Sequence, residues 1–235
     1  MAKTRWMARF AIWHIWLGWL VAVPLLMWTI SGLIMVSRPI EEVRGNHLRE
    51  AVEETALPAD TNITVTLPEA DGKPVKSVTT AMQANATITT ITYMDGSVER
   101  FGADGAQLPK TGEVAARAIV AERIVGGDRV VSSTFYPKDQ VPFDFRRPMD
   151  VWQVTLEDGT NIYVSHDTGE IAAVRTRFWR VFDFVWGLHI MDLETREDTH
   201  HPILVIFTAL AVIGVILGTI LMFRRRKARV KTDAS

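Results

Sequence analysis

The chain contains no cysteine. That excludes disulfides and thiolate metal ligands, so any domain outside a membrane must fold on its hydrophobic core alone. Catalytic signatures are missing too: there is no G-x-S-x-G, H-E-x-x-H, phosphate loop, dinucleotide G-x-G-x-x-G or EF-hand loop. No self-sufficient hydrolase is expected. Charge is absent from two long stretches, Phe10 to Ser37 (about 28 residues) and Ile203 to Phe223 (about 21), each long enough to cross a hydrocarbon core as helix. Within the first, His14 is the only ionisable side chain among Asp, Glu, Lys, Arg and His. The first run is about twice as long as a signal-peptide core, and "TISGLIMVSRP" offers no A-x-A-type cleavage site, so it is expected to stay attached.

A net charge of −1 hides a strong asymmetry. From Arg38 to Pro202 there are 17 basic and 26 acidic side chains, while the two ends together carry 9 basic and 1 acidic. The positive-inside rule then puts both termini in the cytoplasm and the middle outside, as expected of a protein in a bacterial inner membrane. An acidic outer domain excludes nucleic acid as an expected partner. The bilayer is the expected partner.

The segments follow from these runs: a basic tail 1–9, a first span 10–37, a linker 38–60, a hairpin unit 61–110, a domain 111–175, an amphipathic interfacial helix 176–192, a second span 203–223 and a basic tail 224–235. Period-2 runs broken by Asp95-Gly96 and Asp158-Gly159 predict hairpins. "TGEVAARAIVAERIVGG" at 111–127 predicts one amphipathic helix ending at Gly126-Gly127, and strands are expected at 130–135, 151–156 and 161–165. The turns repeat: a second acidic turn residue follows nine positions after each Asp of an Asp-Gly pair, Asp95 to Asp104 and Asp158 to Asp167. The fold class is α+β with two transmembrane helices.

Helix 112–125 followed by "DVWQVTLEDGTNIYVSHDTGEIAAV" resembles the PepSY domain, and "HIWLGW" with a later "TISG" is similar to the first-helix pattern of PepSY-associated transmembrane proteins. Two features depart from that pattern: Ile30 and Ser31 separate Thr29 from Gly32, and there are two spans where larger relatives have four or more. "FDFVWGLH" resembles a helix that carries a histidine in these proteins. The resemblance implies haem b and electron transfer to a ferric siderophore or other iron chelate outside, as in a ferric reductase. It equally implies a tethered module that binds or restrains a secreted peptidase. An accessory subunit of a transport complex is a third possibility.

The residues carry these readings unequally. On a straight helical wheel His14 shares a face with Gly18, Leu25, Thr29 and Gly32, a stripe that suits a neighbouring helix or a porphyrin. Gly214 and Gly218 mark a close contact on the second span. An intramembrane histidine ligates iron, bonds across a helix pair or handles protons. Since no second histidine lies at the depth of His14, a bis-histidine haem there calls for a homodimer. His189 sits on the apolar face Phe178, Phe182, Val185, with Arg177, Arg180, Asp183 and Gly187 opposite; His200 and His201 precede Pro202 at the outer surface. Thus the candidate cofactor ligands are His14, His189, His200 and His201. Candidate partner contacts are Phe143, Phe145, Arg146 and Arg147, in a connection whose phenylalanines can also tuck onto the sheet.

Overall fold

The computed structural model describes residues 2–51, 55–59, 73–83 and 86–229, with side chains described between 6 and 223. Residues 60–72, where the expected hairpin unit begins, and the end of the basic tail, 230–235, fall outside the described residues. The chain divides into two compact units, Met1–Pro39 with Val181–Ser235, and Ile40–Arg180.

In the first unit, α1 (Ala2–Met35) and α5 (Pro202–Arg229) are the two spans. Their apolar parts, Trp6–Met35 and Pro202–Phe223, run 30 and 22 residues, enough for a hydrocarbon core of roughly 30 Å at about 1.5 Å per residue. Hydroxyls within them do not seek lipid: Thr29, Thr208 and Thr219 each donate to the carbonyl four residues back.

The two helices pack antiparallel, with Leu17 against Gly214 and His14 against Gly218. Among the shielded positions, Met7, Phe10, His14, Leu17, Val21, Pro24, Trp28 and Ser31 on α1 alternate by three and four, as do Leu204, Phe207, Ala211, Gly214, Gly218 and Leu221 on α5. This is a 3.5-residue seam. A straight 3.6-residue wheel drifts about 20° per heptad from it, so the expected stripe is corrected: Thr29 is exposed and Leu25 is 37% exposed. Gly18 flanks the seam, and a Cβ built on it meets nothing within 4 Å, so no described element packs on it.

In the second unit, β1 (Val75–Gln83), β2 (Ala86–Tyr93) and β3 (Val98–Phe101) form an antiparallel sheet in that order. After α3 (Glu113–Arg123), β4 (Val130–Tyr136), β5 (Val151–Leu156), β6 (Asn161–Ser165) and β7 (Ile171–Arg175) form a second antiparallel sheet, again in chain order. The architecture is α+β with two flanking membrane helices. Ala116, Val120 and Ile124 at the α3 end pack on Val154, Ile162, Val164 and Val174 of one sheet face. Glu113 in the first turn and Arg123 in the last complement the helix dipole.

Both expected hairpin turns share one chemistry. The Asp95 carboxylate accepts from the amide and hydroxyl of Ser97, and that of Asp158 from the amide and hydroxyl of Thr160. Gly96 and Gly159 supply the positive φ that each turn needs. Part of the expected linker is structured: α2 (Ile40–Val43) and a 3₁₀ turn (Asn46–Leu48) lead to Glu50, whose amide donates to the Arg123 carbonyl, while Val125 donates to the Leu48 carbonyl. Gly45 permits this docking, because a Cβ there would stand 2.6 Å from the Val174 side chain.

The expected interfacial helix is α4 (Arg177–His189), shorter at its end than 176–192. Met191 takes a left-handed φ of 59° and the Asp192 amide bonds the Gly187 carbonyl, which stops the helix in a Schellman-type turn. The polar face expected to meet solvent is covered instead. Segment 192–198 folds over it, the Arg196 guanidinium pairs with Asp183, and Trp186 Nε1 donates to the Arg196 carbonyl. A side chain at Gly187 would collide with Arg196 at 2.7 Å.

Candidate functional site

His14 enters the α1–α5 seam where α5 presents no side chain. A Cβ at Gly218 would lie 2.9 Å from its Cε1 and 3.3 Å from its Nε2, so only glycine leaves room for the ring. Its Nδ1 is buried without a hydrogen-bond partner, a cost of about 1–3 kcal/mol in a protein interior. As placed, His14 makes no hydrogen bond across the helix pair through Nδ1.

His189 is held differently. Its Nδ1 lies 2.8 Å from Ser31 Oγ, the Ser31 hydroxyl donates to the Trp28 carbonyl at 3.1 Å, and Trp28 Nε1 donates to the His189 carbonyl at 2.8 Å. A serine hydroxyl has one proton. Donor and acceptor at the Ser31–His189 contact follow the imidazole tautomer: with the Ser31 proton on Trp28, Nδ1–H donates to Ser31. Gly32 lies beside the ring, its added Cβ 3.8 Å from His189 Cε1. Both histidines are thus seated on glycines, His14 on Gly218 and His189 on Gly32.

His201 has a buried Nδ1 without a partner, whereas His200 is exposed, with its amide on Asp198 and its ring 3.4 Å from Thr199 Oγ1. Extending the seam register from the contacts at 14 with 218 and 17 with 214 brings His201 opposite the level of Ser31. His14 lies seventeen positions earlier on α1, about 26 Å along the axis, so one porphyrin cannot take both His14 and His189. Among the described residues no three His, Asp or Glu side chains gather as a metal cluster. Of the three rings, His14 and His201 have a buried Nδ1 without a partner and His189 has its Nδ1 on Ser31.

A scan against protein families matches residues 11–234 to the PepSY-associated TM region. The chain belongs to that family. No curated protein and no solved structure matches this PepSY-associated membrane protein.

The second unit carries the other candidates. Phe145 is corrected: it is 2% exposed, stacked on Tyr163 at 4.6 Å, and packs with Val151 and Ala173 on the sheet face away from α3. The 137–149 connection is a cover for that face, and an aromatic inside it pays no interface. Phe143 remains 48% exposed, with the Arg146 guanidinium 4.7 Å from its ring. Arg147 donates to the Ala172 carbonyl.

Tyr163 had no place in the sequence reading, and Asp192 and His166 are each tied into a local network. Tyr163 donates to the Asp144 carboxylate and accepts from Gln153 Nε2; burial first, then that carboxylate, holds its phenol well above the ordinary value. Asp192 accepts from the Thr195 hydroxyl and from the amides of Glu194, Thr195, Glu197 and Asp198. These bonds, the Thr195 hydroxyl first, hold its carboxyl far below the usual range. His166 is tied to the Thr111 carbonyl and lies edge-on to Phe135. A cleft of about 810 Å³ opens in the outer domain, with Arg100, Lys110 and Arg123 among its basic lining and Glu50, Glu122 and Glu170 among its acidic lining.

Proposed function

We propose that this PepSY-associated protein is a haem-dependent electron carrier of the bacterial inner membrane, passing electrons from the cytoplasmic side to an iron chelate at the outer domain. The observation that supports it is the Ser31–His189 contact, which orients an imidazole inside a membrane unit with its Nε2 lone pair uncommitted. Haem b, when bound, supplies one-electron chemistry at iron. Every other contribution comes from the chain. Ser31 holds the His189 ring through Nδ1 and Trp28 holds the His189 main-chain carbonyl. Gly218 gives the His14 ring its room against α5, and Gly32 lies beside the His189 ring. His201 stands at the level of His189 as the second outer ligand, His200 being turned to solvent. His14 has no histidine opposite it on α5, so its level is completed by a second copy of the chain in a homodimer.

The test is reconstitution of haem-supplemented protein in vesicles, with reductant inside and a ferric chelate outside. Chelate reduction is expected for wild type and is expected to fall to background in His14→Ala and in His189→Ala while circular dichroism stays unchanged. Retention of full reduction by both variants would sink the proposal.

The cleft and the exposed Phe143 favour one further reading, a tethered module that restrains a secreted peptidase. With Phe145 in the core, that contact narrows to Phe143, Arg146 and Arg147. A peptidase whose inhibition by the full-length protein survives Phe143→Ala would argue against this surface.

A further inference from the structure

The second sheet ends on β4, and no strand among the described residues pairs with its other side. Its sequence, Val-Val-Ser-Ser-Thr-Phe-Tyr, has neither charge nor proline, the usual guards of a sheet edge. Which backbone groups it leaves open follows from β5. The Leu156 amide donates to the Thr160 carbonyl and the Asp150 carbonyl accepts from the His166 amide, so even-numbered residues of β5 bond β6 and odd-numbered ones bond β4. Val151, Gln153 and Thr155 stand opposite Tyr136, Thr134 and Ser132. The intervening Ser133 and Phe135 therefore direct amide and carbonyl away from β5. Val131, Ser132, Thr134 and Phe135 are exposed, so this edge is open.

We propose that β4 pairs antiparallel with β4 of a second copy of this chain, on a two-fold axis through Thr134. Backbone phase fixes that register: Ser133 of each copy faces Phe135 of the other, and each such pair exchanges both amide-to-carbonyl bonds. An axis through Ser133 would instead set Phe135 against Val131, which the bulge between Val130 and Ser132 takes out of phase. Side chains agree with the first register. Thr134 meets its own counterpart in the close, non-hydrogen-bonded position, where threonine pairs are favourable. Arg129 and Asp139 flank the strand, five residues before and five after Thr134, and both are exposed. The same axis brings Arg129 of each copy toward Asp139 of the other, so opposite charges close both ends. A strand whose flanks carry opposite charges about its own midpoint matches itself, which selects a second copy over an unrelated peptide. The pairing lies within the unit Ile40–Arg180 and does not depend on haem.

The absence of cysteine allows single reporters in the full-length protein, held in phosphatidylcholine vesicles at low protein density. Thr134→Cys sits on the axis, where the two Cα atoms stand about 4.5 Å apart, within reach of a disulfide. Ser132→Cys, on the same face of the strand, would stand about 14 Å from its counterpart, beyond that reach. Brief mild oxidation is expected to link Thr134→Cys into a dimer on a denaturing gel and to leave Ser132→Cys at background. Ser133→Pro removes an amide that donates nothing to β5, so the sheet tolerates it. Added to Thr134→Cys, it should abolish the link. Asp139→Arg, outside the strand, should cut the dimer yield severalfold and serves if the proline variant does not fold. No link in Thr134→Cys, equal linking at both positions, or a link that the folded variants retain in full would each overturn the proposal. The haem reading fails on chelate reduction instead, so the two failures are distinct.

Discussion

Two glycines four residues apart on α5 should respond oppositely to the same methyl group. At Gly214 an added Cβ would stand 3.6 Å from Leu17, ordinary contact. At Gly218 it would stand 2.9 Å from His14 Cε1, closer than real Cβ atoms approach. The ring would have to retreat by about 0.7 Å to reach the separation found at Gly214, in a seam where overpacking costs about 1–3 kcal/mol. Both substitutions gain the same helical propensity of up to about 1 kcal/mol, so it cancels in the comparison. Gly218→Ala should therefore be less stable than Gly214→Ala by about 1–3 kcal/mol. Thermal or denaturant unfolding of the two variants in one detergent measures the difference directly. In the His14→Ala background the difference should vanish, because the clashing ring is gone. Equal stabilities in the wild-type background, or a difference that survives His14→Ala, would refute the seating of His14 on Gly218.

Phe145→Ala should destabilise the outer domain by about 3–5 kcal/mol, and Phe143→Ala by no more than about 0.5; equal chemical-denaturation midpoints would show that both rings are exposed. Ser31→Ala removes the acceptor for His189 Nδ1–H and should cost about 1–3 kcal/mol, with nitrogen NMR of His189 reporting loss of a single fixed tautomer. The Asp192 carboxyl has a folded value below its unfolded one, so its contribution is present above about pH 4 and is lost as pH falls below. Hydrogen exchange at the Glu197 and Asp198 amides should accelerate on acidification in wild type and be fast at every pH in Asp192→Ala; pH-independent slow exchange in wild type would contradict the carboxylate's role.

The spans, the Asp-Gly hairpins and α3 were legible because each rests on a local rule: run length, turn chemistry and periodicity. Strands β5 and β6 follow the alternation and end where it does. What could not be read depends on partners distant in sequence. Phe145 looks like an exposed loop aromatic until β6 brings Tyr163 beneath it. Ser31 looked like an interruption of a Thr-Gly pattern, yet its hydroxyl is hydrogen-bonded to the ring of a histidine 158 residues later. The polar flank of α4 read as solvent-facing because Arg196, its ion-pair partner, follows the helix in a segment without periodicity. His14 has no histidine at its depth in the sequence, and α5 presents Gly218 to it. Its face was misjudged because supercoiling changes the period.

An optical spectrum of the purified, haem-supplemented protein, oxidised and then reduced, tests the account most directly. The account expects a Soret band that shifts reversibly on reduction, diminished in Ser31→Ala and weakest in His189→Ala. A folded protein that shows no Soret band after supplementation would contradict it, leaving the two histidines as parts of a helix-packing device alone.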